Sequence, residues 1–212
     1  MSRALLLLTV LSLACSPEAL NASDPGTSVG NPSKDRTLVT VNLAPAEGFE
    51  HTTATYPLEV VELFTCTRSI ERWDVEDDLD LLAGPVLTDP PQGAWCTQVY
   101  QAAGNVIIEG EYQGTSYSFV IERPKVVLDG TWAVTEDDHY VLELGYLGWL
   151  NRFSTSLASG RQVHVDPDHP SHDAIRAAFE RGAGLFLDLD ADGVLSAEER
   201  ERWMLARGSD RR

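Results

Sequence analysis

The sequence predicts an α+β protein, an N-terminal antiparallel β-sandwich or barrel followed by a C-terminal helix-loop-helix module. Three observations carry the prediction. Short runs rich in β-branched residues recur between Thr37 and Asn151, a hairpin pattern brackets Gln113-Gly114-Thr115, and an aspartate-rich loop from Asp188 to Glu199 sits between two stretches read as helix. They divide the chain into a signal segment at 1–14, a tether at 15–36, a β-rich domain at 37–160 and the helical module at 161–212.

The first segment reads as an address. Ser2-Arg3 gives a short positive start, Ala4 to Leu13 an apolar stretch, and Ala14 a small residue before Cys15, which is the pattern of a secretory signal. Ser12-Leu13-Ala14-Cys15 also resembles the lipobox of bacterial lipoproteins, with the aliphatic Leu11 one place earlier than that pattern sets it. The resemblance implies lipidation at Cys15 and an anchor at a bacterial outer membrane or cell surface, with which Ser16 is compatible. The alternative is an ordinary cleaved signal that leaves the chain periplasmic or secreted. Residues 16–36 are rich in Pro, Gly, Asn, Ser and Asp with almost no periodic apolar residues, so they read as a tether.

Charge and cysteines bound the partners and the compartment. The 212 residues carry 33 acidic against 16 basic side chains, a net charge of −17 that repels phosphate backbones and excludes nucleic acid as a partner. Beyond the signal, no apolar run approaches the roughly 20 residues that span a bilayer, so a lipid at Cys15 is the one expected link to a membrane. With Cys15 in the signal, Cys66 and Cys96 pair as one disulfide in an oxidising compartment; two buried free thiols are the other reading. Closing that loop would stabilise the fold by about 3 kcal/mol.

Within 37–160, residues 37–43 and 58–64 are strand candidates. Residues 105–112 and 116–122 form the hairpin, with Tyr117, Phe119 and Ile121 on its buried face. Residues 124–129 and 140–147 add further strands, while the acidic segment 69–82 reads equally as a helix turn or a loop. Trp73, Trp95, Trp132 and Trp149 are assigned to the core rather than to a ligand platform. No GxSxG elbow, HExxH helix or phosphate-binding glycine loop occurs, so no enzyme is indicated.

The C-terminal module opens with His164, His169 and His172 among Asp166, Asp168 and Asp173, a set that suits Zn, Cu or Ni. The same stretch also reads as a solvated linker and the start of a helix capped near Ser171 and buried through Ile175 and Phe179. The loop that follows has a sharper chemistry. Calcium takes six to eight oxygens at about 2.3 to 2.6 Å. Asp188, Asp190 and Asp192 offer carboxylates at alternate positions, Gly193 a turn, Val194 its carbonyl, Ser196 a hydroxyl acting directly or through water, and Glu199 a closing carboxylate.

These loop positions resemble the EF-hand family. The resemblance implies Ca2+ as cofactor and flanking helices from about Ser171 to Arg207, with Leu195, Trp203 and Met204 on buried faces. Gly182 and Gly184 interrupt the incoming helix, and no second loop is present. The lone hand therefore packs on the sandwich, or joins a protein partner or a second copy. The function that follows is a calcium-binding exported protein, a surface or periplasmic lipoprotein with one structural ion and a β-sandwich of unassigned ligand. A transition-metal protein using the three histidines and a hydrolase on the sandwich are the alternatives.

Overall fold

In the computed structural model, which describes residues 37–209 except 136, 146 and 147, the alternating runs become one mixed sheet of twelve strands. The signal segment, Cys15 and the tether at 15–36 lie outside the described residues. The strands are β1 (Leu38–Leu43), β2 (Phe49–Phe64), β3 (Ile70–Asp80), β4 (Val86–Thr88), β5 (Gly93–Ala102), β6 (Val106–Tyr112), β7 (Thr115–Ile121), β8 (Lys125–Val134), β9 (His139–Leu144), β10 (Val163–Val165), β11 (Gly184–Leu187) and β12 (Met204–Gly208). Three short helices accompany them, α1 (Ser154–Ala158), α2 (His172–Arg181) and α3 (Ala197–Arg202). The order across the sheet is β10-β7-β6-β2-β5-β8-β12-β11-β9-β1-β4, with β3 paired to β2 off this path.

The hairpin β6–β7 forms as its pattern requires. Gln113 and Gly114 both take positive φ, 51° and 79°, which matches the tight two-residue turn of a twisted hairpin. Tyr117, Phe119 and Ile121 point into the core. Strand β2 is long enough to serve two sets of partners, β6 along its first half and both β3 and β5 along its second. Pro57, which has no N–H to give a ladder, falls near the changeover, and its carbonyl accepts from the N–H of Ala103 at 2.9 Å. One hydrophobic cluster, with Tyr56, Tyr100, Phe119 and Phe179 fully buried, runs under the strands and is covered in part by Ile175 and Phe179 of α2. Trp95 and Trp132 belong to it, and Trp73 packs against it half-buried. A disulfide joins Cys66 to Cys96 with Cα atoms 5.1 Å apart, tying the turn after β2 to β5.

The expected architecture is corrected in two ways. The sheet is mixed, because β1 runs parallel to β9 and β10 parallel to β7. The helix-loop-helix EF-hand is absent: the segment entering the acidic loop is strand β11, and the helix leaving it, α3, ends at Arg202 and gives way to β12. Ala183 to Leu187 is a short apolar run between Gly182 and Asp188, and as a strand it buries Leu185 on one side and Phe186 on the other. A Cβ on residue 184 would stand 2.7 Å from the edge of the Phe186 ring, so any larger residue there requires that buried ring to shift. Residues beyond 160 thus supply three strands to the same sheet. Trp203 and Met204, expected on a buried face, are 40% and 36% exposed because the chain has left the helix there. The acidic segment read as helix turn or loop is strand β3, which pairs with β2 from Thr55 to Phe64.

Candidate metal centre

Strand β11 delivers the chain to Asp188, whose N–H donates to the His139 carbonyl at 2.9 Å and so fixes the first loop position against β9. The Asp188 carboxylate is buried and folds the loop over itself. Its Oδ1 accepts from the Ala191 N–H at 2.9 Å and its Oδ2 from the Gly193 N–H at 2.8 Å. Ala191 and Gly193 take positive φ, 60° and 79°, which lets the chain reverse in so few residues. Asp192 Oδ1 accepts from Val194 N–H at 2.7 Å. Carboxylate oxygens of Asp188, Asp190 and Asp192 thereby come within 4.8 Å of one another.

Two further contacts hold the loop to the sheet. Leu195 is buried with Val141 and Phe186, and Asn42 Nδ2 donates to the Gly193 carbonyl at 2.9 Å. At the far end Ser196 caps α3 through a reciprocal pair. Its Oγ accepts from Glu199 N–H at 3.2 Å, while Glu199 Oε2 accepts from Ser196 N–H at 2.8 Å. Glu199 Oε1 accepts from Leu189 N–H at 2.9 Å, so this one side chain clasps both ends of the loop. Glu199 is buried and stands outside the group of three aspartates.

The electrostatics differ along the loop. Burial holds the Asp188 carboxyl above its ordinary range, and neighbouring Asp190 adds to the effect. Hydrogen bonding to Ser196, then to the Leu189 N–H, holds Glu199 below its ordinary range. The donor set suits a hard cation, being all oxygen with carboxylates foremost. Oxygens sharing one ion at about 2.4 Å are at most about 4.8 Å apart, and oxygens of the three aspartates lie within that limit.

The histidines predicted as a second set are not gathered. His164 is exposed on β10 with Nε2 3.6 Å from Asp166, His169 Nδ1 accepts from Ser171 N–H at 3.0 Å, and His172 is buried with Nε2 accepting from Glu122 N–H at 3.3 Å. His172 caps a strand end instead of facing a ligand.

Pairing register creates one constellation that sequence reading missed. Glu109 on β6, Ser118 on β7 and His164 on β10 are direct cross-strand neighbours along a groove of about 620 Å³. The Ser118 hydroxyl donates to Glu109 Oε1 at 3.1 Å, so its proton is directed at a carboxylate and not at the imidazole. Beside it the Tyr117 hydroxyl and His51 Nδ1 meet at 2.6 Å, and burial lowers the proton affinity of His51. The hairpin was visible in the sequence, but nothing there announces that Glu109 and Ser118 are joined in one row by His164 through a three-residue parallel strand.

No protein-family model matches the chain, and no curated protein or solved structure matches it either.

Proposed function

We propose that this protein binds one calcium ion in the loop from Asp188 to Glu199 and that the ion serves structure. The observation that carries the reading is the convergence of the Asp188, Asp190 and Asp192 oxygens within 4.8 Å at a turn closed by Gly193. The Val194 carbonyl, Ser196 and Glu199 are the further oxygen groups that would bring the ion to the six or more it takes, Glu199 by turning one oxygen from the Leu189 or Ser196 N–H toward the aspartates. The reading does not depend on an EF-hand scaffold, since ligand spacing lies in the loop and a strand can deliver it as well as a helix. The signal-like segment at 1–14 and Cys15 further support an exported, lipid-anchored protein. Outside the cell calcium is abundant, and a site of roughly 0.1 to 1 mM affinity stays loaded there.

Calorimetric titration of the full chain tests this. One site is expected for calcium, with affinity falling by about tenfold or more in Asp190→Asn, which removes one charge from the first coordination group. No heat at millimolar calcium would sink the reading.

A further inference from the structure

The strand order sets the last two described strands in the middle of the sheet. β8 and β9 follow each other in sequence across residues 135–138, yet β12 and β11 lie between them. Among the described residues, β9 pairs with β1 and β11, and β1 with β9 and β4. The β9-β1-β4 wing is therefore connected to the other strands, as far as strand pairing goes, through the β11–β12 hairpin alone.

The hairpin's hold is uneven. It has four registered pairs with β9, Gly184↔Glu143 to Leu187↔Tyr140, and two with β8, Arg207↔Asp129 and Gly208↔Leu128. Ser209 N–H adds a bond to the Val127 carbonyl at 2.9 Å. Gly130 lets β12 pass close over β8, since a Cβ there would lie 2.2 Å from the Leu205 carbonyl oxygen. The segment that links β11 to β12 is the acidic loop with α3, and it is pinned to the wing. Asn42 of β1 bonds Gly193, Leu195 packs on Val141 of β9, and Arg200 pairs with the buried Glu143 of β9 at 2.6 Å.

We propose that calcium is the fastener of this hairpin, so that losing the ion loosens β11 and β12 and uncouples the β9-β1-β4 wing from β8. The inference rests on the calcium reading of the loop. Without a cation, three carboxylates held within 4.8 Å repel one another and work against the closed loop that sets the spacing of the two strands. With calcium, the inserted state gains the ion's differential affinity, because the Asp188 N–H bonds to the His139 carbonyl and so ties the first loop position to β9. The coupling is reciprocal, so the wing's grip on the loop sets calcium affinity in turn.

Native-state hydrogen exchange on the full chain, with saturating calcium and after chelation, tests this beside the calorimetric titration. Amides of β11, β12 and β9 are expected to lose protection together, by about tenfold or more, while those of β6 and β7 change less than about twofold. Asn42→Ala, which alters no ion ligand, is expected to weaken calcium binding by about threefold or more. Loss confined to 188–199, or equal loss in every strand, with calcium still binding in the titration, would overturn the fastener and leave the calcium site standing. Unchanged affinity in Asn42→Ala would do the same. No binding in the titration would overturn both.

Discussion

Gly193 and Gly110 are both required, for different reasons. Gly193 holds φ at 79° in the loop, and Ala there pays for a left-handed backbone with about 1 to 2 kcal/mol. Gly110 sits opposite His51 where β2 carries a bulge, and a Cβ would stand 2.1 Å from the Glu50 carbonyl oxygen and 2.5 Å from the Tyr117 hydroxyl. Urea unfolding is expected to show Gly110→Ala as the more damaging change, by about 3 kcal/mol, because backbone and not a movable side-chain tip blocks the site. An equal or smaller loss than in Gly193→Ala would refute the ordering. Gly193 was legible in the sequence, since the alternating aspartates beside it mark a tight acidic turn. Gly110 was not, because its need arises from a bulge in a strand about sixty residues earlier.

At the level of elements, α3 is held to β9 by an ion pair whose two partners differ in burial. Glu143 is 2% exposed while the Arg200 side chain is 25% exposed, and Arg200 reaches both carboxylate oxygens. Arg200→Met should cost about 3 kcal/mol by leaving that carboxylate buried without its cation, and adding Glu143→Leu should recover most of the loss. Denaturant midpoints of the two variants check this; a double variant no more stable than the single would contradict it. The elements differed in how readable they were. β7 announced itself because its even alternation puts aromatic residues on one face and serines on the other. β3 did not, because nearly all its side chains are exposed and only Leu79 is buried, so its identity lies in backbone pairing with β2. β11 is buried on both faces, which erases the alternation that marks a strand, and the loop beside it suggested a helix by family habit. The gathering of Asp188, Asp190 and Asp192 could be read from sequence; the strand that carries them could not.

Over the whole molecule the buried tyrosines set an alkaline limit. Burial pushes Tyr56, Tyr100, Tyr117 and Tyr140 well above the ordinary phenol value of 10.0, with a further push on Tyr140 from Asp138. Below pH 10 both states keep these protons and no stability is at stake. As pH rises through 10 the unfolded chain releases them while the folded chain retains them, so stability falls with pH from there upward. A phenolate titration should show these groups ionising with unfolding and not before it; their smooth titration in a folded chain would contradict their burial. The sheet's strand order has a consequence in time as well as in space. β11 and β12 are the last of the described strands to be synthesised, yet their places are interior, so a growing chain must leave a slot between β8 and β9 unfilled and carry two open edges until residues 184–208 arrive. In a chain that folds as it is made, the entry of this hairpin is then the last pairing the sheet can complete. A chain threaded through a membrane pore N-terminus first would complete its sheet only after those residues had crossed.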